Sequence, residues 1–171
     1  MRLFFGLWPE DDHREQLYAL AESLPLENAR LLPRTNTHIT LAFLGNVENT
    51  IYPRLVDGAD QIQKTAFSLR LDTLGWWQKP KIAWVGPATY PAVLPELASA
   101  LHTLACDCGL RMDERPYRPH LTLARKVKSD YKRVDFEPIS MNFREFCLIE
   151  SISQEQGVRY EVKLRWPLKI M

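Results

Sequence analysis

Two short stretches carry residues that could do chemistry together: His38-Ile39-Thr40-Leu41 and, in the second half of the chain, His120-Leu121-Thr122-Leu123. Each follows a polar or proline-bearing loop and opens an apolar, β-branched run that reads as a strand. Side chains alternate along a strand, so His38 shares a face with Thr40, and His120 with Thr122, while Ile39 and the leucines take the other face. If the two strands lie together, two imidazoles and two hydroxyls surround one small volume. That set suits phosphoryl chemistry without a metal, such as opening a cyclic phosphodiester. Histidine titrates near neutrality, so one ring can take a proton from water while the other gives one to the leaving oxygen. Threonine hydroxyls can donate hydrogen bonds to the phosphate oxygens as charge gathers there.

A zinc centre is the main chemical rival for two histidines. It requires three or four close ligands, and neither motif has a carboxylate or a third histidine at ligand spacing. No metal and no other cofactor is therefore expected. His13, in an acidic first helical turn, and His102, in an apolar helix, lack a threonine two residues on and read as surface or core histidines. Tyr117, three residues before His120, is a candidate platform for stacking a terminal base. Trp76, Trp77 and Lys81 are candidates for the cleft or its rim, and Arg34, Arg115 and Arg118 for positive potential at its mouth.

The elements that must position these residues follow from periodicity and breakers. Strands are expected over Arg2–Trp8, Thr37–Leu44, Phe67–Leu74, Lys81–Val85, His120–Ala124, Phe143–Ser153 and Arg159–Trp166. Helices are expected over Asp11–Leu24, Tyr52–Gln63 and Val93–Cys108. Helices between strand pairs indicate an α+β architecture. The repeated His-x-Thr-Leu pattern indicates two related halves, each contributing one such strand.

A chain of 171 residues, 46% hydrophobic and 25% charged, suits one ordinary folded domain. No apolar run is long enough to span a bilayer. The apolar start runs directly into Glu10-Asp11-Asp12 without a small-residue cleavage site, so it reads as a buried strand rather than a signal peptide. Cys106, Cys108 and Cys147 are odd in number and form no Cys-x-x-Cys motif, so buried or half-buried reduced thiols and a cytoplasmic location are expected. With 22 Lys and Arg against 21 Asp and Glu, the chain lacks the basic excess of a protein that coats a duplex. Any nucleic acid would meet a local site, such as one strand end.

The stretches His38-Ile-Thr-Leu-Ala-Phe-Leu-Gly45 and Arg115-Pro-Tyr-Arg-Pro-His-Leu-Thr-Leu-Ala-Arg125 resemble the paired signatures of the two-histidine (2H) phosphoesterases. More narrowly, they resemble the bacterial and archaeal RNA 2′,3′-cyclic phosphodiesterases, the LigT-like or 2′-5′ RNA ligase family. Arg2-Leu-Phe-Phe-Gly-Leu-Trp-Pro9 and Lys81-Ile-Ala-Trp-Val-Gly86 are similar to further stretches of that family. The resemblance implies a single bilobal domain over residues 1–171, with two pseudo-symmetric lobes whose antiparallel sheets face a central cleft and whose helices lie outside. It implies hydrolysis of a terminal 2′,3′-cyclic phosphate to a 2′-phosphomonoester, with His38 as general acid on the 3′ oxygen and His120 as general base for water. Thr40 and Thr122 would hold the phosphate, and Arg125 matches a family arginine that could clamp an oxygen through two parallel hydrogen bonds. Counting by twos from His120 points Arg125 away from the site, so it arrives only if the strand ends, twists or bulges there. The same parity sends Phe43 to the core.

The expected partners are RNA 3′ ends bearing a 2′,3′-cyclic phosphate, or small cyclic nucleotides, met by a monomer with no membrane involved. Two alternatives remain open in the sequence: the reverse 2′-5′ ligase reaction, and a non-catalytic module that holds a nucleotide or RNA end. The pH–rate profile is expected to be bell-shaped around neutrality, with limbs that belong to the coupled pair.

Overall fold

The computed structural model describes residues 1–171. The chain forms three helices, α1 (Asp11–Ser23), α2 (Tyr52–Asp60) and α3 (Val93–Asp107). Its ten strands are β1 (Arg2–Leu7), β2 (Arg30–Leu31), β3 (Ile39–Asn46), β4 (Phe67–Leu71), β5 (Thr73–Trp77), β6 (Ile82–Gly86), β7 (Leu121–Arg125), β8 (Ile139–Phe143), β9 (Glu145–Gln154) and β10 (Gly157–Pro167). The α+β architecture stands. Two expected strands are each divided: Phe67–Leu74 breaks at Asp72, and Phe143–Ser153 starts earlier and breaks at Arg144. In both cases the chain leaves the small β4–β8 sheet and enters the large one. The apolar pattern runs on through each break and so hides it. At the first break the Asp72 carboxylate accepts from the Thr73 hydroxyl (3.0 Å) and the Ala88 amide (2.8 Å), which secures the corner.

The large sheet runs β10-β9-β1-β3-β7-β6-β5, with β2 pairing the far end of β7, and every strand pairing is antiparallel. The expected two lobe sheets are therefore joined into one. The junction is thin, because β3 and β7 meet only at Ile39↔Leu121. On one side lie β10, β9, β1 and β3; on the other, β7, β6 and β5.

The two halves of the chain are interleaved across this junction. The succession β1–α1–β3 in the first half corresponds to β6–α3–β7 in the second. Yet α1 lies against β7 and α3 against β3, while β9 pairs β1 and β5 pairs β6. Neither half could bury its helix alone, and one core of 37 residues results. In α3 the buried Leu94, Leu97, Ala98, Leu101 and Ala105 follow the spacing of a single helical stripe. Leu3, Phe5 and Leu7 of β1 enter the same core, whereas Phe4 joins Cys147 and Ile149 on the opposite face. Burial on both faces explains why β1 is apolar without alternation. No helix is long and apolar enough to cross a membrane.

Two bulges, at equal places in the two motifs, alter which way side chains point. Gly6 lies opposite Thr40 but Phe5 opposite Ala42, leaving Leu41 unmatched. Trp84 lies opposite Thr122 but Ala83 opposite Ala124, leaving Leu123 unmatched. An unmatched residue reverses the face of everything after it. Two glycines let the flanking backbone approach closely. A Cβ on Gly6 would come within 2.9 Å of the Ile39 carbonyl oxygen, and one on Gly86 within 2.9 Å of the Pro119 carbonyl oxygen. Because both obstacles are backbone beside a histidine, Gly6→Ala and Gly86→Ala should each destabilise the fold by ~1–3 kcal/mol, read as a lower denaturant midpoint. Wild-type midpoints for both variants would contradict this packing.

Candidate active site

His38 and His120 stand one residue ahead of β3 and β7 rather than inside them. The sole β3–β7 pair, Ile39↔Leu121, joins the residues that directly follow the two histidines. Counting outward from that pair, Thr40 and His120 fall level across the junction, as do Thr122 and His38, where the strands part.

Both imidazoles are held in the same way. His38 Nδ1 lies 2.8 Å from the Asn36 carbonyl oxygen, and His120 Nδ1 lies 2.9 Å from that of Arg118. A carbonyl only accepts, so each Nδ1 carries the proton and each Nε2 is left as the working nitrogen. Aromatic rings pack against each imidazole. Phe4 and Tyr160 lie 4.7 Å from His38, the latter edge-on, and Trp77 lies edge-on 4.5 Å from His120.

Burial dominates the electrostatics. It pushes His38 down to about 4, aided by the charges of Arg125, His120 and Arg14 and opposed by the Asn36 carbonyl. His120 is also lowered, by burial first and then by Arg118 and Arg125, against the pull of its own carbonyl partner. Both rings are thereby neutral at pH 7, and Arg125 is a positive charge that both sense.

Arg125 turns to the face of the histidines because of the Leu123 bulge. Ala124 faces the core with Ala83, so Arg125 returns to the face of His120 and Thr122. Phe43 is a correction for the same reason. The Leu41 bulge puts Ala42 in the core and pairs Phe43 with Phe4 on the site face, where it is 47% exposed. Phe43 and Arg125 thus occupy equivalent positions in the two motifs.

A cavity of about 830 Å³ opens where β3 and β7 diverge, and its wall includes Thr40, Phe43, Trp77, Tyr117, Arg118 and His120. His38, Thr122 and Arg125 are outside that wall; Thr122 borders a small gap beside Leu17 and Thr37. Tyr117 lines the cavity, and its hydroxyl donates to the Thr40 carbonyl oxygen (3.1 Å). It thereby ties the loop before His120 to the strand after His38. Burial raises its phenol far above the usual range, so it stays protonated. Trp76 also lines the cavity and donates to the Val127 carbonyl oxygen (2.8 Å), while Lys81 is in the turn before β6 and outside the wall.

The other arginines are partly committed. Arg34 pairs with Glu15 (2.9 Å), Arg115 pairs with Asp113, and Arg118 lies over Trp77 with 5.1 Å to the ring centre. His102 lines the far wall, with Nε2 at 3.1 Å from the Asp113 carbonyl oxygen, and His13 stays in the first turn of α1. Cys108 and Cys147 are buried, whereas Cys106 is exposed, against expectation, and none is paired. No three His, Cys, Asp or Glu side chains gather at ligand distance. Sequence reasoning missed Phe4, Asn36 and Tyr160 as neighbours of His38; only the family-like stretch around Phe4 and the aromatic character of Tyr160 offered any signal.

A family model described as LigT-like phosphoesterase matches the chain twice, over residues 7–84 and 85–160. Among curated proteins, the RNA 2′,3′-cyclic phosphodiesterase of Escherichia coli K12 is 33% identical over 172 residues, covering 98% of this chain and 96% of that protein. The RNA 2′,3′-cyclic phosphodiesterase of Methanocaldococcus jannaschii is 26% identical, covering 97% and 100%. Among solved structures, E. coli LigT complexed with 3′-AMP superposes with a TM-score of 0.87 at 33% identity, covering 98% of this chain and 97% of that one.

A histidine kept neutral by burial makes stability depend on pH. Between pH 6.5 and about 4 the unfolded chain protonates position 38 and the folded chain does not, so acid favours unfolding across that window. His38→Gln should therefore flatten the fall of melting temperature from pH 6.5 to 4. An unchanged slope would mean that His38 is not buried in its neutral form.

Proposed function

The chain belongs to the LigT-like phosphoesterase family, and on that footing we propose that it hydrolyses the 2′,3′-cyclic phosphate at an RNA 3′ end to a 2′-phosphomonoester without a metal ion. One observation carries the reading: two imidazoles, both with Nδ1 tied to a carbonyl and Nε2 free, flank the single β3–β7 pair. The 3′-AMP bound by the E. coli LigT structure supports a nucleotide as the ligand of the corresponding cleft.

His120 Nε2 takes a proton from water as the water oxygen bonds to phosphorus. The P–O3′ bond breaks, O3′ leaves with a proton from His38 Nε2, and the phosphate stays on O2′. Thr40 and Thr122 donate hydrogen bonds to the non-bridging oxygens, and Arg125 offsets their charge. His38 must enter this step protonated. The anionic phosphate beside it favours the imidazolium and opposes the lowering by burial, so the substrate itself charges its acid. Tyr117 and Phe43 lie on the cavity wall; in this reading they take the terminal base of an RNA end or of a small cyclic nucleotide. The same pair would serve 2′-5′ joining by microscopic reversibility, but water is the abundant nucleophile. We assign this activity to the monomer over residues 1–171, in the cytoplasm, where its three unpaired thiols persist.

The direct test is a chelator-treated assay on a short RNA ending in a 2′,3′-cyclic phosphate. Full activity is expected with only 2′-phosphate formed. His38→Ala and His120→Ala should each lose ~10²–10⁴-fold in kcat, and Arg125→Ala should raise KM. Dependence on added zinc, or a 3′-phosphate product, would overturn the scheme.

The pH profile supplies a second test. With both rings lowered in the free protein, kcat/KM should peak between pH 6.5 and about 4 rather than at neutrality. The limbs of kcat should lie higher, because the bound anion raises both rings. A kcat/KM optimum above 7 would contradict the neutral, buried His38.

A further inference from the structure

The molecule buries three polar or charged side chains, Arg14, Asn36 and Thr37, and all three hold the same short segment. That segment is the 3₁₀ turn Arg34–Asn36, which delivers the chain to His38. The Arg14 guanidinium donates to the Arg34 carbonyl oxygen (2.6 Å) and to that of Pro9 (3.0 Å), and it lies over the Trp8 ring at 4.1 Å. The Thr37 hydroxyl donates to the same Arg34 oxygen (2.7 Å). Burying polar groups is costly unless each finds a partner, so their concentration here needs a reason.

Asn36 supplies it, because it grips the imidazole and its surroundings at once. Its carbonyl oxygen accepts from His38 Nδ1 (2.8 Å). Its side-chain amide donates to the Val158 carbonyl oxygen (2.7 Å), and its side-chain oxygen accepts from the Tyr160 amide (3.3 Å). The side chain thus pairs with β10 as an added strand would, on the edge away from β9. Tyr160 is the residue whose ring packs edge-on against His38.

The second motif solves the same problem with other chemistry. Arg118, again two residues before its histidine, accepts from His120 Nδ1 through its carbonyl, and its guanidinium lies over Trp77, the ring packed on His120. In both motifs the residue two before the histidine fixes the tautomer through its main chain and holds the packed aromatic through its side chain.

We propose that Asn36 is the positioning residue of His38, locking the main chain that sets its tautomer to the strand that carries Tyr160. The catalytic part of this inference rests on the acid role given to His38 above; the tautomer does not. Nitrogen NMR of the imidazoles reads it directly. In the wild-type protein at neutral pH, His38 should be a neutral ring with the proton on Nδ1. In Asn36→Ala, His38 should lose that fixed pattern while His120 keeps its own, and kcat should fall about 10–100-fold with KM within about 2-fold. Asn36→Ser, neutral and small enough for the same space, replaces the alanine variant if that protein fails to fold, and the same outcome is expected of it. A proton on Nε2 of wild-type His38 would overturn the inference, as would an unchanged kcat, or equal disturbance of both histidines. A correct tautomer in a protein inactive on cyclic phosphate would sink the proposed reaction and leave the positioning intact.

Discussion

The β3–β7 junction is one residue pair wide, and the site exists because it is no wider. Ile39 and Leu121 are fully buried and hold the two halves of the sheet together, while the strands diverge on either side. Fuller pairing would zip β3 onto β7 and close the cavity. With no pairing, the register that sets each histidine level with the other motif's threonine would be lost. Tyr117 bridges the opening by bonding to the Thr40 carbonyl, so the divergence is fixed rather than loose.

The scaffold is symmetric and the site is not. Both motifs carry the same bulge, at Leu41 and at Leu123, and each turns the residue two places later into the site. On one side that residue is Phe43, whose ring lies under the Arg2 guanidinium at 4.7 Å; on the other it is Arg125. The two ends of the site thereby differ in kind. The histidines differ in kind as well. His38 is enclosed by Phe4 and Tyr160 and is driven to about 4, while His120 lies on the cavity wall beside Trp77. An asymmetric pair of imidazoles follows from two near-copies of one strand.

Interleaving explains how so small a junction survives. Each half of the chain places its first helix on the other half's His-x-Thr strand, and β9 and β5 cross over to extend the partner sheet. Separating the halves would open the 37-residue core, so the stability of the cleft is that of the whole molecule and not that of its single seam.

The two His-x-Thr motifs, the α+β order and the apolar faces of β1, α1 and α3 were legible in the sequence, since periodicity, breakers and repeated patterns are local properties. Parity beyond the motifs was not. Counting by twos sent Phe43 to the core and Arg125 away from the site, because a bulge belongs to the pairing of two strands and leaves no mark on either one. Asn36 escaped notice because its partners, Val158 and Tyr160, are far off in the chain. Whether His38 is charged was also beyond a reading of residues one by one, since its proton affinity is set by burial against rings and by the charges of Arg125, His120 and Arg14. The sequence determined which imidazoles and hydroxyls open the two strands; tertiary structure decided which way they face and how tightly they hold a proton, because facing depends on register and proton affinity on burial.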